Sequence, residues 1–192
     1  MSRVLQAVDG NLPSVKKASA KKLNQFLSVL EQCGILYNQQ QFHLRESTSA
    51  TGALVGLRKQ LHACGEVTRD QFVQSARDFF DGDKLNAGLV PLEGSSETVL
   101  RLLTQVMVIQ TKVVEFLLEC VVEQSCIDSE DIEHDTPRKI LQQLHFLNVI
   151  ENGDEFAKLL FDCLGNLCDM GLESNRLQRE IVELVPHVLE DA

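Results

Sequence analysis

The sequence is poor in aromatic residues and in proline. Its 192 residues include no Trp, one Tyr and four Pro, while Leu and Val dominate the apolar side chains. Sandwiches and barrels are built from many short strands rich in aromatic and β-branched residues, punctuated by turn residues. The composition therefore favours an all-helical chain.

The chain also lacks the long apolar segments of secreted and membrane proteins. The N-terminal sequence MSRVLQAVDGN has no apolar core of the kind found in a signal peptide. Residues 99–122 form the most apolar stretch, but charged and amide side chains interrupt it before it reaches the roughly 20 residues of a membrane span. We therefore expect no membrane partner, and a reducing compartment in which the cysteines are free thiols.

Motifs for catalysis, cofactors and metals are missing as well. The six cysteines contain no C-x-x-C pair, and no phosphate-binding loop, G-x-G-x-x-G or G-x-S-x-G sequence occurs. His62 and Cys64 lie two residues apart, without an evident third polar partner. Cys163 fits the apolar stripe of a helix, as a small buried side chain would. We expect no enzymatic activity, no cofactor and no metal site.

Charge is distributed unevenly along the chain. The overall net charge is -10, but residues 1–22 carry five basic side chains against Asp9 alone, which leaves about -14 for the remainder. Residues 115–135 contain eight acidic side chains and no Lys or Arg. An acidic body is not typical of a protein that binds nucleic acid alone. It is compatible with a larger assembly whose basic surface lies elsewhere.

Residues 1–19 are predicted to form a basic, flexible arm. The sequence SVKKASAKK is typical either of a solvated tail or helix start, or of an arm that serves nuclear import or contacts nucleic acid. The candidate contact residues are Lys16, Lys17, Lys21 and Lys22. Ser129 lies beside Glu130 and Asp131, and this acidic context makes it a candidate phosphorylation site within an inter-helix loop.

Helical spacing of apolar residues begins after the arm. It predicts helices over residues 21–33, 48–63 and 68–80, and a short helix in the turn-rich segment that follows. Two short apolar runs flank a polar Asn-Gln tract at residues 35–46, which is compatible with a small extended hairpin.

The helical pattern is strongest from Ser95 onward. Helices are expected to start near residues 95, 111, 136, 154 and 174, so that two helices occupy roughly 40 residues, the period of HEAT and armadillo repeats. The expected N-terminal caps are Ser95 or Ser96, Thr136 and Ser174. Helices are expected to end at Asn152-Gly153 and at Gly171. The last helix is expected to kink or to end at Pro186.

Residues 20–192 are therefore predicted to form an all-α, HEAT/armadillo-like α-solenoid segment. The last predicted helix carries an apolar stripe for which the sequence offers no later cover, so the array is expected to continue beyond residue 192. The stripe consists of Leu177, Ile181, Leu184, Val185 and Val188.

Several segments, in order, resemble the N-terminal solenoid of the Fanconi anaemia group D-two family. A leucine-rich helix pair, SSETVLRLLTQVMVIQTKVVEFLLECVVE, is followed by DTPRKILQQLHFLNVIENGDEFAKLLFDCLGNL and by LQREIVELVPHVLEDA. The recurring details are Pro137-Arg138, Gln143-Leu144-x-Phe146-Leu147, the Gly153-Asp154 turn and Val185-Pro186-x-Val188-Leu189. The likeness is diffuse, covers about residues 24–192 and is strongest from residue 95 onward.

The resemblance implies a nuclear, non-catalytic scaffold of DNA interstrand crosslink repair. Members of this family pair with the Fanconi anaemia group I paralogue, close on DNA as a clamp and are locked by monoubiquitination of one lysine. That lysine belongs to a later part of the family's chain, so no residue here is expected to carry ubiquitin. The basic arm is shorter than the nuclear-localising arm of the family. The alternative left open by the sequence is an unrelated helical-repeat adaptor for other proteins.

Overall fold

A computed structural model describes residues 25–82, 84–125, 135–170 and 175–190. As expected, the described chain is mostly helical, with a small two-stranded sheet. The elements, in chain order, are α1 (25–32), β1 (Ile35–Asn38), β2 (Gln41–Leu44), α2 (Ala50–Ala63), α3 (Glu66–Phe79), α4 (Lys84–Leu89), α5 (Val99–Thr104), a 3-10 turn (Met107–Ile109), α6 (Gln110–Ser125), α7 (Thr136–Leu144), α8 (Gly153–Cys168) and α9 (Asn175–Glu190).

Aromatic side chains hold the N-terminal half together. The ring of Phe26 on α1 lies 5.5 Å from that of Phe72, 5.3 Å from that of Phe79 and 5.4 Å from that of Phe80. Tyr37 on β1 meets Phe79 edge-on at 4.9 Å. Each such pair contributes about 0.5–1.5 kcal/mol beyond the burial of its apolar area. The few aromatic residues of the chain are thus concentrated at the point where α1, the hairpin and α3 meet.

The predicted hairpin near residues 35–46 is present. Strands β1 and β2 pair antiparallel, with Ile35 opposite Leu44 and Asn38 opposite Gln41. The two residues of the turn, Gln39 and Gln40, have φ angles of 48° and 62°. Positive φ at both central positions is the pattern of a type I′ turn, whose twist matches that of the paired strands.

The C-terminal half packs around α6, which contacts α3, α5, α7 and α8. Helix α9 lies against α8 and α7. A continuous set of buried apolar residues runs from Phe26 on α1 to Val188 on α9. The two halves of the described chain therefore share one core.

The apolar stripe of α9 is covered within this chain, and the expectation that it lacks a cover is wrong. Leu177, Ile181, Leu184 and Val188 are buried where α9 lies against α8 and α7. The large apolar side chains that α9 does expose are on other positions, at Val182 and Leu189. The expectation is wrong because the spacing of apolar residues shows on which side of its own helix a stripe lies. It does not show which earlier helix packs against that side.

Two helix starts differ from the predicted ones. Thr98, rather than Ser95 or Ser96, caps α5, and its side chain accepts a hydrogen bond from the Arg101 N–H at 3.1 Å. Asp135, rather than Thr136, caps α7. In both places several residues able to cap lie close together in the sequence. The cap is the one that immediately precedes the first buried turn, which only the packed structure defines.

Neither Asn152-Gly153 nor Pro186 ends a helix as predicted. Asn152 caps the start of α8 rather than ending α7, which stops at Leu144, and Gly153 is the first residue of α8. Pro186 lies inside α9, which continues to Glu190, so the predicted end is wrong and the predicted kink stays a prediction. Burial of Leu184 and Val188 on either side holds the helix together although Pro186 lacks an N–H to donate. Gly171 and Ser174 lie outside the described residues.

Candidate functional site

The candidate contact and modification residues from the sequence lie outside the described parts of the chain. These are Lys16, Lys17, Lys21 and Lys22 of the arm, and Ser129 of the acidic loop. Their roles stay predictions. The site that can be built from described residues lies instead between α6 and α8.

The histidine and cysteine candidates are not brought together. His62 is exposed in the last turn of α2, and Cys64 follows that helix as its C-terminal cap. Within residues 25–82, 84–125, 135–170 and 175–190, no three His, Cys, Asp or Glu side chains are grouped so that they could hold a metal ion. In the same ranges no helix is long and apolar enough to cross a membrane.

Burial keeps three thiols protonated. It raises the pKa of Cys33 to about 11 and that of Cys163 to about 12. Burial also raises the pKa of Cys120 to about 11, with a further increase from Glu123 and a decrease from Arg77. Cys163 occupies the apolar stripe of α8 as predicted, and its sulfur lies 3.8 Å from the carbonyl oxygen of Leu118. These side chains act as small apolar groups of the core.

A groove runs between α6 and α8, and we call it the α6–α8 groove. Two cavities, of about 340 Å³ and about 320 Å³, share Glu115 and Leu159 in their walls. The first is lined by Glu66, Arg69, Asp70, Met107, Val108, Ile109, Gln110, Thr111, Lys112, Glu115, Glu151, Glu155 and Leu159, and the second by Glu115, Leu118, Glu119, Val122, Glu123, Leu159, Asp162, Cys163 and Asn166.

Helical spacing explains how one rim of the groove becomes acidic. Glu115, Glu119 and Glu123 are four residues apart on α6, so they lie one above another on the same face of that helix. Asp162 on α8 faces the groove from the other side. Three of the described acids that line the groove are engaged, since Glu119 pairs with Arg77 of α3, Asp70 pairs with Lys112, and Glu155 accepts a hydrogen bond from Nδ2 of Asn152 at 3.2 Å.

The floor of the groove is apolar. Leu118 and Cys163 are buried, while Val122 and Leu159 are half-buried and remain reachable from the groove. Leu118 and Val122 follow the acidic stripe at the same four-residue interval. Helix α6 therefore carries two neighbouring stripes: Leu118 and Val122 contribute to the apolar floor, and the glutamates form the charged rim.

Gln110 fixes one end of the groove. This buried side chain donates from Nε2 to the carbonyl oxygen of Thr104 at 2.9 Å and to that of Val149 at 3.0 Å. Its Oε1 accepts a hydrogen bond from the N–H of Glu151 at 2.9 Å. A single glutamine thus joins the end of α5 to the loop before α8, and positions Glu151 in the groove wall.

A second polar cluster joins α5 to α7. Arg101 is buried, and its Nε donates to Gln143 Oε1 at 3.2 Å while the guanidinium stacks on the Phe146 ring, 3.8 Å from its centroid. Thr98 also donates to Gln143 Oε1, at 3.0 Å. Sequence reasoning missed both clusters. The available signal was a polar side chain inside an apolar run, at Arg101 and at Gln110.

The comparisons with known proteins identify no family for this chain. No protein-family model matches it, and no curated protein is significantly similar to it.

Proposed function

We propose that this chain is the N-terminal helical-repeat part of a non-catalytic scaffold in DNA interstrand crosslink repair, of the Fanconi anaemia group D-two kind. In this proposal the protein is nuclear and pairs with the group I paralogue on DNA. Ubiquitin is conjugated to a lysine elsewhere in the clamp subunit. The chain works by packing, because its helices bury their apolar stripes and leave an outer surface for the paralogue.

The observation that supports this proposal is that several residues of the resemblance make contacts between helices in the structure. Pro137 lies in the first turn of α7, where its missing N–H leaves no hydrogen bond unmade. Arg138 follows it and forms an ion pair with Glu180 of α9 at 2.9 Å. Gln143 connects α7 to Thr98 and Arg101 on the α5 side.

Some apolar residues of the same segments also pack between helices. Leu144, Leu147 and Val188 are buried in the shared core, and Phe146 covers the guanidinium of Arg101. Leu189 of the same segments is exposed. These contacts support the proposal over residues 95–190, where the resemblance is strongest.

The second candidate function is a helical adaptor unrelated to crosslink repair. The α6–α8 groove favours it, because a groove with an apolar floor is a recurring docking site for an amphipathic helix. The two candidates differ in whether the group I paralogue is the partner.

A pull-down with the group I paralogue separates them. The 192-residue chain is immobilised and offered the purified paralogue of the same organism at about 150 mM salt, where charges beyond about 8 Å are screened. Nuclease treatment removes DNA that could bridge the two proteins. We expect retention of the paralogue by the chain and none by an unrelated acidic helical protein of similar size. A folded chain that retains no paralogue would contradict the clamp proposal and leave the adaptor in the lead.

A further inference from the structure

We propose that the α6–α8 groove is a docking site for a basic, amphipathic peptide segment of a partner protein. Lysine or arginine side chains of that segment contact the carboxylates of the rim, and its apolar side chains enter the floor. This goes beyond the clamp proposal, which assigns no partner to this groove, and it specifies the chemistry of the segment that the adaptor candidate would bind.

The first observation is that several carboxylates in the groove wall have no partner among the described residues. Within the described residues, the carboxylates of Glu115, Glu123 and Asp162 form no hydrogen bond or ion pair. Arg69 and Lys112 are the basic side chains in the groove wall, and Lys112 is engaged by Asp70. These carboxylates lie on both sides of the groove: Glu115 and Glu123 are on α6, and Asp162 is on α8. A ligand that carries positive charge therefore meets complementary charge from two directions.

The second observation is the floor beneath that charge. An acidic surface alone would attract any cation, but here Val122 and Leu159 are only half-buried and lie between the charged walls. Apolar area that stays in contact with water is a source of binding free energy once a ligand covers it. The combination selects a peptide with both kinds of side chain over a simple cation.

The third observation is that the groove is held open by its frame. Gln110 ties the loops at one end through three hydrogen bonds, and the Arg77–Glu119 ion pair joins α3 to the middle of α6. The walls themselves are α6 and α8, each of 16 residues and each packed on other helices. Because the groove is preformed, its side chains lose less conformational freedom when a segment binds, which lowers the free-energy cost of binding.

The test is fluorescence anisotropy of a labelled synthetic peptide with the full 192-residue chain. The probe alternates leucine and lysine at helical spacing, and two companion peptides replace either every lysine by glutamate or every leucine by serine. We expect the leucine–lysine peptide to bind at least tenfold more tightly than either companion. Equal binding of the leucine–lysine and serine–lysine peptides would overturn the proposal, because the floor would then contribute nothing.

Two variants, each of which loses three negative charges, show whether the peptide binds in the groove or elsewhere on the acidic surface. The groove variant combines Glu115→Gln, Glu123→Gln and Asp162→Asn, all at exposed side chains, so the fold is preserved. We expect it to bind the leucine–lysine peptide at least tenfold more weakly.

The matched control neutralises three exposed acids on α1 and two loops, by Glu31→Gln, Glu46→Gln and Glu93→Gln. We expect less than a twofold change in affinity. Similar losses in the groove variant and in this control would overturn the proposal in favour of overall charge attraction.

Two other occupants are outcomes of the same experiment. If a variant that combines Lys16→Ser, Lys17→Ser, Lys21→Ser and Lys22→Ser binds the peptide tenfold more tightly, the chain's own arm fills the groove and the partner proposal is wrong. If the groove variant changes the sedimentation mass from that of a dimer to that of a monomer, a second copy fills it and the proposal is equally wrong. Unchanged mass, with peptide binding unaffected by the arm, supports a partner segment.

Discussion

Arg138 at the start of α7 donates from Nε to Oε1 of Glu180 in the middle of α9, at 2.9 Å. The Glu180 side chain is 17% exposed, and Arg176 approaches the same oxygen at 4.0 Å from one turn earlier on α9. One carboxylate therefore joins two arginines, one of them from a different helix. The ion pair is a direct link between two segments that carry the family resemblance.

A double-mutant cycle measures this link. Because the pair is only partly shielded from water, we expect a coupling of about 1 kcal/mol between Arg138→Ala and Glu180→Ala in urea unfolding. The matched cycle uses Arg176→Ala with Glu180→Ala, where the longer distance predicts a smaller coupling. Additive effects in the Arg138 cycle would show that the pair contributes nothing to holding α7 on α9.

The three hydrogen bonds of the Gln110 side chain, at one end of the groove, can be tested by mutation. Gln110→Leu removes hydrogen bonds to the buried carbonyl of Thr104 and to the partly buried backbone groups of Val149 and Glu151, and we expect a loss of about 2 kcal/mol in the free energy of unfolding. Gln142 is an exposed glutamine on α7, and Gln142→Leu is expected to change stability by less than about 0.5 kcal/mol. Equal losses for the two variants would contradict the bonding scheme.

Two helical glycines should respond in opposite directions to alanine. A Cβ at Gly88 would lie 2.6 Å from a ring carbon of Phe80 and 2.9 Å from Leu100, whereas none of the described atoms lies within 4 Å of a Cβ at Gly165. Gly88→Ala should therefore destabilise the protein by about 1–3 kcal/mol through overpacking. Gly165→Ala should stabilise it by up to about 1 kcal/mol through helix propensity. Thermal unfolding of both variants checks the sign, and a stabilising Gly88→Ala would refute the close packing of α4 on α5.

The buried thiols predict a loss of stability at high pH. The pKa of Cys163 is raised from 9.0 to about 12 by burial, so the unfolded chain releases this proton first. The stabilisation of the protonated folded form is complete below pH 9 and is lost as the pH rises toward 12. Unfolding free energies measured from pH 8 to 10.5 should therefore fall. The fall should be shallower in Cys163→Ala, although that variant is less stable overall, and an identical slope would contradict the assignment.

Much of the helical pattern could be predicted from local sequence, because apolar spacing depends on residues within one or two turns. The spacing of Leu177, Ile181, Leu184 and Val188 predicts an apolar face on α9. It does not show that this face packs on α8 and α7, because that depends on how α9 folds back on earlier helices. Thr98 and Asp135 were missed as caps for a related reason, because neighbouring residues could cap equally well until packing set the first turn.

The groove was the part least accessible to sequence reasoning. The acidic bias of residues 115–135 was visible, but Glu115 and Glu123 define a groove only once Leu159 and Asp162 of α8 lie opposite them. Gln110 was equally hidden, because its most distant hydrogen-bond partner lies 41 residues away. Positions that depend on such long-range contacts cannot be read from helical periodicity.

Cell survival is the most direct test of the proposed role in interstrand crosslink repair. The gene for this chain is disrupted in its own organism, and survival is measured after treatment with a DNA crosslinking agent and, separately, with a monofunctional alkylating agent. We predict strong hypersensitivity to the crosslinker alone, with normal survival restored by the intact gene. Normal survival after crosslinking, in cells shown to have lost the protein, would rule out this role.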